Sequence, residues 1–115
     1  MLEHRFVGPP FTIGVEEELM LVDAETLDLG QGIEAILEGI PEDVTGHVKP
    51  ELFQSVLEVA TTPCQSVAET TAQLRDLRRT VGEIAERNGY LVGAAGTATA
   101  ARGRSCSARG APGCR

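Results

Sequence analysis

The sequence contains very few aromatic residues and no tryptophan: aromatic side chains make up 3% of its 115 residues. A core built from this chain must therefore consist of Leu, Val, Ile and Ala side chains. The chain also lacks any apolar run near the roughly 20 residues that span a bilayer, and residues 1–10 lack the apolar segment of a signal peptide. Hydrophobic residues still reach 42%, which argues against disorder and predicts one small domain with no membrane partner.

Cysteine is scarce as well, and its count of three is odd. Cys64 lies in the body of the chain, whereas Cys106 and Cys114 lie close to its end. An odd number of cysteines without a secretory segment does not fit a disulfide scaffold. We therefore expect a reduced, cytoplasmic protein.

Acidic residues are missing from residues 98–115, which carry four arginines. All 17 acidic residues and six basic ones precede residue 97, which leaves a formal charge of −11 in that portion of the chain. An acidic body argues against nucleic acid as a partner, because a phosphate backbone is bound by a basic face. Cations, alone or with a nucleotide attached, are the ligands that this charge favours.

The spacing of apolar residues predicts an α+β fold. Residues 11–22 alternate with the period of two that is typical of a strand with one buried face. Glu16 and Glu18 fall on the polar face, and Glu17 interrupts the apolar face. Further elements are predicted at 27–29 (a short return strand), 31–39 (a short helix), and 44–49, 54–61 and 90–95 (strands).

One long helix is predicted over about residues 66–88. Ser66 is a favourable N-cap, Glu69 completes a capping box, and Gly89 occupies the position where a C′ glycine is expected. The predicted apolar stripe comprises Val67, Leu74, Leu77, Val81, Ile84 and Ala85. The arginines of this helix are expected mostly on the solvent side: Arg75, Arg78, Arg79 and Arg87.

The last segment, 98–115, contains no acid, no Leu, Ile or Val, and no aromatic residue. Such a composition cannot supply a core face. We therefore predict a folded segment over residues 1–97 and a disordered Ala/Arg/Gly/Cys-rich tail over 98–115.

Glu16 and Glu18 are the first candidates for chemistry. Carboxylates at positions i and i+2 of a strand point to the same side, roughly 7 Å apart. Two interpretations remain open on this pattern. The pair either binds a hard dication through its oxygens or forms the solvated acidic face of a strand end, which is the commoner role of a charge run.

Glu58 is the second candidate, because it lies alone within an apolar segment, where an unpartnered carboxylate is unfavourable. It either binds a ligand or lies on the polar face of an edge strand. Glu51 precedes it by seven residues, which is opposite parity on a continuous strand. The two can share a site only if Glu51 lies in a loop or bulge after Pro50. His4, His47 and Cys64 show no ligand or nucleophile spacing.

Several segments resemble the bacterial carboxylate–amine ligases related to glutamate–cysteine ligase. The first is F-T-I-G-V-E-E-E-L-M-L-V-D-A-E-T at residues 11–26, and the second is P-E-L-F-Q-S-V-L-E-V-A-T-T-P-C at 50–64. The helix with L-R-D-L-R-R and A-E-R-N-G, followed by A-A-G-T, matches in order and spacing. The resemblance covers about residues 8–97 and implies that residues 1–97 are the N-terminal part of the ligase catalytic domain.

This resemblance implies a partial glutamine-synthetase-like fold, a mainly antiparallel sheet with the long helix packed on it. It implies an ATP-dependent ligase that phosphorylates a carboxylate, typically the γ-carboxylate of glutamate, and joins it to cysteine or another amine. It also implies Mg²⁺ as cofactor beside the co-substrate ATP. By the same resemblance, the metal ligands are expected to be Glu16, Glu18, Glu51 and Glu58.

The chain departs from the family after Gly96-Thr97, where a His-Pro-aromatic segment is expected. We hypothesise that a frameshift replaced the downstream sequence, because large aliphatic residues end abruptly there. Absence of a His-Pro block from both other reading frames of the downstream DNA would contradict this. A fragment inactive by itself is then expected, and the alternatives are a non-catalytic acidic cation-binding fragment or a non-functional remnant.

Overall fold

A computed structural model describes residues 11–95 of the chain, so the predicted tail at 98–115 lies outside the described residues. The elements are strands β1 (Glu16–Asp23), β2 (Val48–Pro50), β3 (Val56–Ala60) and β4 (Tyr90–Gly93), and helices α1 (Ile33–Glu38) and α2 (Val67–Arg87). A short 3-10 turn over Thr45–His47 precedes β2. The α+β prediction is confirmed: a four-stranded antiparallel sheet carries one long helix.

The strand order in the sheet is β2-β3-β1-β4, and every neighbouring pair is antiparallel. The two strands richest in glutamate and aliphatic residues, β1 and β3, are therefore the central ones. Because side chains alternate along a strand, Leu19 and Leu21 of β1 and Leu57 and Val59 of β3 point to one side, and Glu16, Glu18 and Glu58 point to the other.

The core lies between the sheet and the two helices. The inward side chains of β1 and β3 are almost completely buried, and the helices cover them with aliphatic residues in turn. The main members of this cluster are Leu19, Leu21, Leu57, Val59, Ile33, Ile36, Leu77, Val81 and Ile84. The opposite face of the sheet, called the open face, carries no helix within residues 11–95, and Glu16 and Glu18 of β1 and Glu58 of β3 point to it.

The ends of α2 follow the sequence prediction closely. The Ser66 hydroxyl accepts a hydrogen bond from the Glu69 N–H (3.2 Å), and the Glu69 carboxylate accepts one from the Gln65 N–H (2.7 Å), one residue before the cap. Gly89 has a φ of +79°, the left-handed conformation expected at C′. The apolar stripe is wrong at Val67, which is 69% exposed, while Thr70 is buried and donates its hydroxyl hydrogen bond to the Ser66 carbonyl.

Several predicted strands are shorter in the structure. The strand predicted at 11–22 begins at Glu16, and the one predicted at 44–49 begins at Val48 because the 3-10 turn occupies the preceding residues. The return strand predicted at 27–29 is wrong. Leu27 has a φ of 60°, and Leu29 contributes an isolated bridge to Val22 rather than a strand. Asp23 closes this turn by accepting hydrogen bonds from the N–H groups of Glu25 and Thr26.

None of the helices within residues 11–95 combines the length and the apolar character needed to cross a membrane.

Candidate functional site

Glu17, the middle member of the glutamate triplet, points to the helix side of the sheet. The Nε atom of Arg78, on α2, donates a hydrogen bond to Oε2 of Glu17 at 2.7 Å, and a second guanidinium nitrogen binds Oε1. This hydrogen bonding and the carboxylate charge raise the pKa of Arg78 above its ordinary value. Glu17 therefore joins β1 to α2, and Arg78 is not a solvent-side residue without a partner.

Glu18 lies directly opposite Glu58 in the register of β1 and β3. Paired residues of an antiparallel ladder point to the same face, with Cβ atoms roughly 4.5–5.5 Å apart. Glu16 lies two residues away on that face, opposite Ala60. The structure thus brings Glu16, Glu18 and Glu58 onto the open face of the sheet, and like charges that face each other there are destabilising unless a cation offsets them.

Lys49 extends this row to a third strand. It pairs with Glu58 in the register of β2 and β3, and its Nζ atom donates a hydrogen bond to Oε1 of Glu58 at 3.3 Å. The Glu58 side chain is 16% exposed and that of Lys49 is 53% exposed. Lys49 was not among the predicted site residues, although a hairpin turn centred between Pro50 and Val56 sets it beside Glu58.

Glu51 follows β2 immediately, and its N–H donates a hydrogen bond to the carbonyl of Val56 (3.2 Å). Continuing the register of β2 and β3 by one residue sets Glu51 opposite Val56 and therefore on the same face as Glu58. The condition stated for Glu51 is met, since it lies just after Pro50 in a hairpin rather than on a continuous strand with Glu58. All four predicted ligands consequently belong to one face.

The donor set suits a hard cation, because carboxylate oxygens are the ligands that Mg²⁺ prefers. Within residues 11–95, however, no three acidic, histidine or cysteine side chains lie close enough to hold a metal ion together. The open face therefore offers a facing pair of carboxylates, Glu18 and Glu58, with two further glutamates nearby. It fits a portion of a coordination shell rather than a complete one.

His47 and Cys64 are structural residues. The Nδ1 atom of His47 lies 2.8 Å from the carbonyl oxygen of Ala60, which only accepts hydrogen bonds, so this nitrogen carries the proton. Cys64 is buried, and its thiol donates to the carbonyl of Thr62 (3.2 Å). His4 lies outside the described residues. Neither described residue contributes to the open glutamate face.

Comparison with known proteins shows the family of this chain. The sequence model of "Glutamate-cysteine ligase family 2 (GCS2)" matches residues 12–110. The chain is 44% identical over 96 residues to "Putative glutamate--cysteine ligase 2-1" of Rubrobacter xylanophilus, covering 84% of this chain and 26% of that protein. It is 46% identical over 88 residues to a similarly named protein of Jannaschia sp., covering 76% of this chain and 23% of that protein.

The chain thus spans about a quarter of the length of these curated relatives. The family match nevertheless covers most of the chain, including both glutamate segments and the long helix. The chain belongs to glutamate–cysteine ligase family 2, a family of ATP-dependent carboxylate–amine ligases.

Proposed function

We propose that this chain is the glutamate-bearing segment of a ligase that joins a carboxylate, typically the γ-carboxylate of glutamate, to cysteine or another amine in an ATP-dependent reaction. The family membership supports the reaction class. The observation that carries the proposal is the shared open face on which the register sets Glu18 opposite Glu58. The substrates are small molecules, and the protein acts in the cytoplasm.

In this proposal, Glu16, Glu18, Glu51 and Glu58 supply oxygen ligands for Mg²⁺. When bound, Mg²⁺ offsets negative charge on the phosphate groups of ATP during phosphoryl transfer. The chain's own contribution is orientation. Pairing between Glu17 and Arg78 ties one side of β1 to α2, and the alternation of the strand directs Glu16 and Glu18 to the other side.

We also propose that the 115-residue chain does not complete the reaction by itself. The segment shared with the relatives is about a quarter of their length, and its carboxylates do not form a complete metal site within residues 11–95. The family match extends to residue 110, beyond Thr97. The boundary between the folded segment, residues 1–97, and the tail, residues 98–115, therefore stays a prediction. The frameshift stays a hypothesis that the downstream DNA tests.

Calorimetric titration with Mg²⁺, and with Mn²⁺ as a spectroscopic substitute, tests the metal assignment. We expect weak binding that strengthens with ATP and that falls about tenfold in Glu18→Gln or Glu58→Gln, because each variant removes one charged oxygen ligand. Glu83→Gln is the matched control, since it removes one charge from an exposed position of α2. An equal loss of Mg²⁺ affinity in all three variants would show that only the net charge of the chain matters, and would contradict the assignment.

An activity assay tests the expected inactivity of the chain. With ATP, glutamate and cysteine present, we expect no ADP release above the buffer control. Release that depends on both amino acids would contradict this expectation.

A second candidate function is a small acidic fragment that binds cations without any catalytic role. The formal charge of −7 and the facing carboxylates of Glu18 and Glu58 support this candidate. The titration separates the two: cation binding that ATP leaves unchanged supports the second candidate, and a chain without a cooperative thermal transition is a non-functional remnant.

A further inference from the structure

Lys49 is the only lysine in the sequence, and all nine other basic residues are arginines. It lies in the row that runs across three strands on the open face, where Glu58 faces Lys49 on one side and Glu18 on the other. Without Lys49, two carboxylates would oppose each other with no cation beside them. Among the residues that the structure describes, the positive charge that contacts this pair is the Lys49 ammonium, which binds its Glu58 member.

The way in which Lys49 binds Glu58 differs from the way in which Arg78 binds Glu17. Arg78 forms two hydrogen bonds through its planar guanidinium group, a geometry that is rigid and specific. Lys49 forms one longer bond of 3.3 Å, and its side chain is 53% exposed. A lysine ammonium is a compact, strongly hydrated charge on a flexible stem, so this contact is easily broken in favour of water.

We propose that Lys49 is an exchangeable counter-cation: its ammonium balances Glu18 and Glu58 in the cation-free protein and leaves Glu58 when a divalent cation binds. This inference rests on the proposed metal site. One ammonium beside two carboxylates leaves a charge of −1, and a divalent ion in its place leaves none. Both cations together would leave an excess of +1, so the two compete for the same oxygens.

If Lys49 and the divalent cation compete for Glu58, removing the charge of Lys49 should lower the melting temperature and raise the affinity for the cation. Lys49→Met keeps the aliphatic stem and removes the charge. We expect it to lower the melting temperature without divalent cations, because Glu18 and Glu58 then repel each other. We expect the same variant to tighten Mn²⁺ and Mg²⁺ binding about three- to tenfold at low salt, since a nearby positive charge no longer opposes the ion, and less at high salt.

Lys49→Arg is the matched control. It keeps the positive charge and offers a fork that can hold Glu58 with two nitrogens, so cation affinity should be equal to or weaker than that of the natural chain. A lysine that only stabilised the fold would lower the melting temperature in Lys49→Met and leave cation affinity unchanged, and that result would overturn the proposal. Weaker cation binding in Lys49→Met would overturn it too, because Lys49 would then favour cation binding instead of competing with the cation.

The single lysine also allows a direct measurement without mutation. Acylation of Lys49, followed by mass spectrometry of its peptide, reports how freely its amine reacts. We expect the reaction rate to rise when Mg²⁺ is added, and not to rise in Glu58→Gln. A rate independent of Mg²⁺ in a chain that binds Mg²⁺ would overturn the exchange alone, whereas absence of Mg²⁺ binding in both the natural chain and Lys49→Met would overturn the metal site and the exchange together.

Discussion

Glu17 carries its carboxylate on the face of β1 that packs against α2, where a charge without a partner is unfavourable. Its side chain is 19% exposed, and Arg78 binds it with two nitrogens. We expect Arg78→Met to lower the free energy of unfolding by about 1 kcal/mol, measured by urea denaturation. The value is small because Arg78 is 52% exposed and water screens such pairs.

Arg75→Met is the control for this variant, because it removes the same charge from an exposed position of the same helix. It should change stability by less than about 0.5 kcal/mol, as surface substitutions usually do. If the two variants lose equal stability, the contact with Glu17 contributes nothing beyond net charge.

Alternation along β1 predicted correctly that Glu16 and Glu18 share a face and that Glu17 interrupts the apolar one. It did not predict the partner of Glu17. Arg78 follows Leu77, a buried residue of α2, and so lies at the border of the apolar stripe. The periodicity of the helix alone predicts that a residue at this border is exposed to solvent. It cannot predict the contact with Glu17, because Glu17 lies 61 residues away in the sequence.

Asp23 is expected to make the stability of the chain depend on pH at the acidic end. Hydrogen bonds from the Thr26 N–H, then from the Glu25 N–H, hold the pKa of Asp23 below its ordinary value of 3.8. A lowered folded-state pKa adds stability that is complete above the unfolded-state pKa and is lost as pH falls through the folded-state pKa. The natural chain should therefore exceed Asp23→Asn in stability near pH 6, and the difference should shrink as pH falls below the ordinary pKa of 3.8 and through the folded-state pKa.

Urea denaturation of both proteins between about pH 2.5 and pH 7 measures this difference. The comparison removes the contributions of the other carboxylates, which both proteins share. A difference that stays constant over the whole range would show that the pKa of Asp23 is the same in the folded and unfolded states, and would contradict the prediction.

At the scale of elements, α2 contains one glycine and is followed by another, and their replacement should have opposite effects. Gly82 lies inside the helix with open space around an added Cβ, whereas Gly89 lies at C′ with a φ of +79°. Gly82→Ala should raise the free energy of unfolding by about 0.5–1 kcal/mol, because alanine loses less backbone entropy in a helix. Gly89→Ala should lower it by about 1 kcal/mol, because a left-handed conformation is unfavourable for alanine.

Thermal denaturation measures both effects, and each variant is the control for the other because both add one methyl group. Destabilisation by both would indicate that the region around Gly82 is occupied by something outside residues 11–95. Stabilisation by both would contradict the C′ assignment of Gly89.

Elements whose ends are set by neighbouring residues in the sequence were predicted more accurately than those whose ends are set by pairing with distant strands. The bounds of α2 were predicted to within a residue because Ser66, Glu69 and Gly89 act through neighbours in sequence. Strand ends were less accurate because pairing sets them. Val48 begins β2 opposite Val59, and Val56 begins β3 just after a turn in which its N–H bonds the carbonyl of Phe53. The alternation of apolar and polar residues within each strand does not show where β2 or β3 begins.

At the scale of the whole molecule, the candidate site depends on strand order. The order β2-β3-β1-β4 sets Glu58 between Lys49 and Glu18, although these residues are far apart in the chain. Family resemblance, rather than pattern, predicted that the glutamates act together. Lys49 was missed because its role follows from register across the β2–β3 hairpin, which composition and periodicity do not contain.

Net charge supplies a prediction for the whole chain. The sequence carries a formal charge of −7, and self-repulsion of this kind destabilises a compact state. Raising NaCl from about 10 to about 150 mM shortens the Debye length from about 30 Å to about 8 Å. We therefore expect a gain of about 1 kcal/mol, or about 4–8 °C in melting temperature for a chain of this size.

Magnesium chloride at the same ionic strength separates general screening from occupation of the open face. Screening alone would give equal melting temperatures in the two salts, whereas binding to the folded state adds a further, concentration-dependent rise. We expect that additional rise in the natural chain and not in the double variant Glu18→Gln/Glu58→Gln, although both should respond to NaCl. An equal additional rise in both proteins would place the bound cations elsewhere on the acidic surface, and the facing carboxylates would then have no special role in holding them.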